Sequence, residues 1–191
     1  KLSDPEQYCN LLLELIPKVA DLKEDNDLTK LLKEVAWLQL QTEEAISPSQ
    51  VILLPNTHQL SSFKDRLQAV FQSEKSSYVS RSMLARNLQN SKSLETVCET
   101  WYYNDILRFL LRESQRPSDH VALILDVLAS LEQHKQSLSN EIKDFLKTKQ
   151  WLIDDENQSR SPAQIINLPS LEDVVTKALS VSQPKKYVSP S

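Results

Sequence analysis

The chain contains no glycine in 191 residues, where average usage near 7% would supply roughly 13. Glycine gives access to positive φ and lets a backbone come close to a ligand, so phosphate-cradling loops and nucleophile elbows normally need it. Walker loops, dinucleotide fingerprints and kinase glycine loops are excluded on that ground alone. Helices, which an interior glycine destabilises by about 1 kcal/mol, are what such a composition favours. Cysteine is scarce as well. Cys9 and Cys98 form no metal or disulfide spacing and read as buried thiols of a reducing cytosol. The histidines, His58, His120 and His134, lie in three separate segments, with no pair at the i, i+4 spacing of a helical metal site. No apolar run approaches the ~20 residues that cross a bilayer, and no signal peptide opens the sequence. A strong charge of either sign is also missing. The formal net charge of −4 favours neither nucleic acid nor an anionic membrane. The chain opens on Lys1 rather than Met, as a segment cut from a larger protein would.

What is present is a globular composition, 40% hydrophobic and 25% charged, with apolar residues at helical spacing. Ser3-Asp4-Pro5-Glu6 forms a capping box, which predicts a first helix to about Ile16, stopped by Pro17. A second helix is expected from about Asn26, on Leu28, Leu31, Leu32 and Val35. Trp37-Leu38-Gln39-Leu40 then alternates like a short strand. After the polar break Thr42-Glu43-Glu44, residues 46–55 return as an extended or turn-rich arm, which makes a small hairpin. Further helices are expected at about Leu60–Gln72, Ser77–Gln89 (polar) and Ser93–Glu113. The last is apolar nearly all round, through Trp101, Tyr102, Tyr103, Ile106, Leu107, Phe109, Leu110 and Leu111, and so is central and buried. Ser118 should cap a helix through Val121 to Leu131, and Ser139 another through Ile142, Phe145 and Leu146. Trp151-Leu152-Ile153, the turn at 154–157 and Ser161-Pro162 follow. A last helix runs from Ser170 to about Val181. Residues 182–191, rich in Ser, Pro and Lys, form a tail.

The second half repeats the first. With an offset of 114, Leu28–Pro55 lies on Ile142–Pro169 without a gap. The identities are Leu32/Leu146, Lys33/Lys147, Trp37/Trp151, Leu38/Leu152, Ser47/Ser161, Pro48/Pro162, Gln50/Gln164, Ile52/Ile166, Leu54/Leu168 and Pro55/Pro169. That is ten of twenty-eight positions, where composition predicts roughly two. The expected fold is mainly α, a helical repeat-like array with short Trp-anchored β-hairpins in two related units. The first unit spans residues 1–116, and a partial second unit spans 117–181. Trp37, Pro48, Pro55, Trp151, Pro162 and Pro169 act as structural anchors, since Trp and Pro do no chemistry and an indole is among the largest surfaces a side chain can bury. Units of this kind extend elongated repeat proteins, each covering its neighbour.

Leu31-Leu32-Lys33-Glu34-Val35-Ala36-Trp37-Leu38 with Ser47-Pro48-Ser49-Gln50-Val51, and Phe145 to Leu152 with Ser161 to Ile165, resemble the helical repeats of the sacsin family of giant cytosolic co-chaperones. The similarity covers about a third of the chain. The family pattern often has Pro after the Trp segment and Gly at the hairpin turn, and this chain has neither. The resemblance implies a helical portion of a chaperone-type scaffold. It does not extend to the family's ATP-binding module, whose glycine-rich motifs are impossible here.

No residue set points to catalysis, a cofactor or a metal. His120 beside Ser118 and Asp119 has the composition of a helix cap, and Cys98 beside Trp101 sits where burial raises a thiol pKa. The polar helix carries Lys75, Arg81, Arg86 and Lys92 around Tyr78, a stripe that could touch phosphates, although a solvated face is the commoner meaning and the overall acidity argues against nucleic acid. Both hairpin tips are acidic, Glu43 and Glu44 in one and Asp154, Asp155 and Glu156 in the other. They could dock a basic segment of a protein partner. The expected function is a non-catalytic scaffold or protein-interaction segment of a large cytoplasmic co-chaperone-like protein, without membrane attachment. The alternatives are a regulatory helical domain of a larger enzyme and a nucleic-acid-binding module using residues 75–92.

Overall fold

The computed structural model describes residues 5–16, 27–55, 60 and 62–165. The capping residues Ser3 and Asp4, His58, the helix expected at 170–181, the tail and the anchor Pro169 lie outside the described residues. The chain is mainly helical with a few short strands. It divides into two compact units, Lys1–Trp101 and Tyr102–Ser191.

In the first unit, helix α1 (Pro5–Leu15) and helix α2 (Asp27–Glu34) precede a hairpin of strands β1 (Leu38–Gln39) and β2 (Ala45–Ile46). A 3-10 turn at Pro48–Gln50 then leads into strand β3 (Val51–Leu53). These follow the sequence expectation closely. α1 inserts Cys9 and Leu13 into a core shared with Ile16, just after the helix, and with Leu38, Ile46, Val51, Leu53, Leu84, Leu88, Leu94 and Val97. β3 is buried throughout, as a central parallel strand should be. It lies between β4 (Val79–Ser80) and β5 (Glu99–Thr100) and pairs parallel with both, in the registers Val51↔Val79 and Ile52↔Glu99. Helix α3 (Lys64–Ser73) connects β3 to β4 and starts a turn later than expected.

Two expected helices are replaced. Residues 77–89 are not helical: they hold β4, a 3-10 turn at Arg81–Met83 and further turns. Sheet pairing by β4 and two backbone bonds to the first hairpin, Gln41 N to Met83 O (2.9 Å) and Ala85 N to Gln39 O (2.9 Å), claim the groups a helix would have used. The single long helix at 93–113 is interrupted. A four-residue helix α4 (Leu94–Val97) gives way to β5, and a new helix starts where Asp105 Oδ2 accepts the N–H of Tyr102 at 3.0 Å.

That new helix, α5 (Tyr103–Arg108), opens the second unit and runs on as a π turn over Phe109–Glu113. Its apolar residues from Tyr103 to Leu111 are buried, as expected, whereas Tyr102, at the start of the helix, is exposed; the helix packs on α6 (Val121–Gln133) and α7 (Asn140–Thr148). The boundary between the compact units lies between Trp101 and Tyr102. Ser139 caps α7, accepting from Ile142 N at 3.3 Å. Ser118 does not cap α6; it is buried in a 3-10 turn (Pro117–His120), where its Oγ accepts from Ser159 Oγ at 2.8 Å. A second hairpin, β6 (Leu152–Ile153) with β7 (Ser159–Arg160), and the short helix α8 (Pro162–Ile165) complete the described chain.

The chain lacks glycine, yet among the described residues four backbone positions are left-handed: Glu43 (φ 68°), Lys75 (φ 50°), Lys135 (φ 52°) and Asn157 (φ 61°). Lys75 and Lys135 end α3 and α6 in the arrangement that usually recruits glycine. The following N–H reaches back five residues in each case, Ser76 to Phe71 O (2.9 Å) and Gln136 to Leu131 O (3.0 Å). Each non-glycine residue there costs about 1 kcal/mol.

Candidate functional site

The two tryptophan hairpins are the most structured of the features singled out in the sequence. Trp37 Nε1 donates to Leu32 O at 2.7 Å, and Trp151 Nε1 donates to Leu146 O at 2.8 Å. In each case the indole turns back over the helix it has just left and satisfies a carbonyl of the last turn, a group that has no helical donor of its own. The hairpins share their register: Leu38 opposes Ile46 and Gln39 opposes Ala45, while Leu152 opposes Arg160 and Ile153 opposes Ser159. Their loops close alike, with Leu40 N to Glu44 O (2.8 Å) in one and Asp154 N to Gln158 O (3.0 Å) in the other. The left-handed residue stands at the same loop position, Glu43 or Asn157.

The Ser-Pro-x-Gln run has a local physical meaning. Gln50 Oε1 accepts from Ser47 N (3.4 Å), and Gln164 Oε1 accepts from Ser161 N (3.0 Å). The proline contributes no N–H and a fixed φ, suited to the first position of the turn that follows. Pro48 and Pro162 are buried and Pro55 is half-buried. Sequence reasoning treated these glutamines as matched letters and missed that they hold the turn.

The burial differs between the two. Trp151 is 1% exposed and Leu146 fully buried. Trp37 and Leu32 are only partly buried at the edge of their core. The third tryptophan, Trp101, belongs to neither hairpin. It stacks edge-on with Phe71 and Tyr78 at centroid distances of 5.8 and 5.2 Å.

The acidic tips are not five equivalent carboxylates. Asp154 Oδ1 accepts from Glu156 N (3.0 Å) and Gln158 N (2.7 Å), and Oδ2 accepts from Arg160 Nε (3.0 Å). The backbone N–H of Gln158 and the Arg160 side chain hold its carboxyl below the ordinary range. Asp154 thus builds the hairpin. Glu43, Glu44, Asp155 and Glu156 are exposed.

The basic stripe expected on a helix at 75–92 is dispersed over turns. Arg81 donates through Nε to Gln89 O and through Nη2 to Ser91 O (2.9 Å), which ties down its own loop. Tyr78 is engaged with Phe71 and Trp101. Arg86 and Lys92 remain exposed.

Cys9 and Cys98 are buried thiols outside any disulfide. Cys9 Sγ donates to Trp37 O (2.7 Å), and burial pushes the Cys98 thiol up to about 12 against the pull of the Arg81 charge. His134 stacks on Tyr103. Among the described residues no group of three His, Cys, Asp or Glu could hold a metal ion. Among the same residues no helix is long and apolar enough to cross a membrane.

No family model matches the chain, and no curated protein and no solved structure is significantly similar to it.

Proposed function

We propose that the chain is a non-catalytic, cytoplasmic scaffold segment of a large co-chaperone-like protein, built from two copies of one helical module offset by 114 residues. The observation that carries the reading is the tryptophan bond, made to the carbonyl five residues earlier at both Trp37 and Trp151. A bond of this geometry, repeated with hairpin register, loop closure and the Ser–Gln contact, is most simply explained by a duplicated sequence folding twice under the same local forces. Modules of this kind serve by shape, offering helical faces and grooves to an amphipathic segment of a partner. α1, α2 and the residue after α2 leave Tyr8, Leu11, Leu15, Leu31 and Val35 about half exposed, the sort of apolar surface that a client chain covers. The exposed tip carboxylates Glu43, Glu44, Asp155 and Glu156 would favour basic segments of the client.

The test is a client-holding assay in which light scattering follows a thermally unfolding model enzyme. The full chain should suppress aggregation in proportion to its concentration and without nucleotide. Leu11→Asp with Leu31→Asp should abolish the effect, and lysines at the four tip positions should weaken it for a basic client. A chain that leaves aggregation unchanged at equimolar ratio would remove the co-chaperone reading while leaving the duplicated architecture untouched.

A further inference from the structure

In the second unit a cavity of about 480 Å³ opens where the buried helix ends, within the ~300–1,000 Å³ range of small-molecule sites. The π turn at Phe109–Glu113 widens the helix just before it, and π turns of this kind concentrate at functional sites. Arg112 and Arg116 come from that end, Thr148 and Lys149 from the end of α7, and the Ser118 and Ser159 hydroxyls from the 3-10 turn and β7. None of the described residues lining the cavity is acidic.

Cations at helix C-termini need no ligand to explain them, because each helix end carries about −0.5 of an elementary charge. The sum here exceeds that need. Arg112 is shared with Glu141 at 3.5 Å. Arg116 and Lys149 have no carboxylate partner among the described residues, and Lys149 sits 5.7 Å from the Phe145 ring. Two full positive charges thus face about one negative charge from two helix ends. One hydroxyl proton is left to offer: Thr148 donates to Asp144 O at 2.9 Å and Ser159 donates to Ser118 at 2.8 Å, so the buried Ser118 proton is the one that needs an acceptor of its own.

We propose that this cavity binds the phosphate group of a small phosphate monoester. Such a group carries about −1.5 to −2 at neutral pH and presents three acceptor oxygens. It therefore suits a site with two spare cations and the Ser118 hydroxyl better than a singly charged carboxylate does. The cavity has room for the organic part of the ester beside the phosphate. The first unit lacks the site: positions 34, 35 and 45, which correspond to Thr148, Lys149 and Ser159, are Glu34, Val35 and Ala45. The binding belongs to one unit and is independent of the scaffold reading.

The experiment titrates the isotope-labelled full chain with glycerol 3-phosphate at near-physiological salt and follows backbone amide resonances. The expected result is a saturable shift confined to residues 111–118, 148–150 and 159, with a Kd of about a millimolar or tighter. Arg116→Glu and Lys149→Glu should each weaken binding at least about tenfold, and Lys64→Glu should not change it. Arg116→Gln, which removes the charge but keeps a polar stem, serves if charge reversal unfolds the unit. Inorganic phosphate should bind more weakly than the ester. Shifts that fail to saturate, spread over basic residues of both units, or persist unchanged in the Arg116 variants would overturn the site. Inorganic phosphate binding as tightly as the ester would overturn the ester as its ligand.

Discussion

Around Trp37 and around Trp151 the chain makes the same bonds under different cover. Each indole donates to the carbonyl five residues back, and each hairpin has the same register. Yet Trp151 is enclosed and Trp37 lies at the margin of its core. The local geometry is written into the few residues that match between the two stretches. The cover comes from elements that do not match: Gln41 bonds to Ser82 and Met83 beside the first hairpin, whereas Ser159 bonds to Ser118 beside the second. Local hydrogen bonding thus fixes the shape, and nonlocal packing sets how much each hairpin contributes to stability.

The largest expected effect follows from that inequality. Trp151→Ala should cost the second unit about 3–5 kcal/mol, and Trp37→Ala roughly half as much because its ring is already partly in water. Chemical denaturation of the single variants measures both, and equal costs would break the comparison. Substitution by Phe keeps most of the apolar surface and removes the donor. It should cost about 1–3 kcal/mol at Trp151, where the Leu146 carbonyl is left in a dry site, and under about 1 kcal/mol at Trp37, where water can replace the indole.

The same pairing could be followed in the sequence because the residues that build it are close together in the chain. The Trp, most of the helix before it and the Ser-Pro-x-Gln turn lie within one stretch of 28 aligned positions, ten of them identical. The three-stranded parallel sheet could not be followed, since β3 meets its partners 28 and 47 residues away (Val51↔Val79, Ile52↔Glu99) through strands only two or three residues long. The false helix at 77–89 arose from polar residues with no competing local signal, although Ser76, Ser77, Ser80 and Ser82 in one run disfavour a helix interior. In the long apolar stretch, Asp105 three residues after Tyr102 was the available sign of a fresh helix start. For the tips, sequence showed the carboxylates but not that Arg160, across the hairpin, takes Asp154 out of the exposed set.

Smaller effects separate the two loops. Glu43→Gly should stabilise the first hairpin by about 1 kcal/mol, because glycine removes the left-handed penalty. Asn157→Gly should gain only a few tenths, since asparagine already tolerates that conformation. Thermal melts compare the two, and a destabilised Glu43→Gly variant would show that its side chain holds the turn. The smallest effect is pH dependence. Asp154 has a lowered folded pKa relative to its ordinary 3.8, so its contribution is fully present above that value and is lost as pH falls through the folded value. The first hairpin has Leu40 at the matching position and should lose nothing there. Asp154→Asn should remove the acid sensitivity of the second hairpin, read from amide shifts of residues 152–160 between neutral and strongly acidic pH.

The most direct measurement is hydrogen exchange at the indole nitrogens, read from the Nε1–H resonances of the intact chain. The account predicts that Trp37 and Trp151 are both protected relative to a free indole, with Trp151 exchanging the more slowly. A Trp37 indole exchanging as fast as free tryptophan, while that of Trp151 is protected, would contradict it: the two stretches would then share letters without sharing a structure.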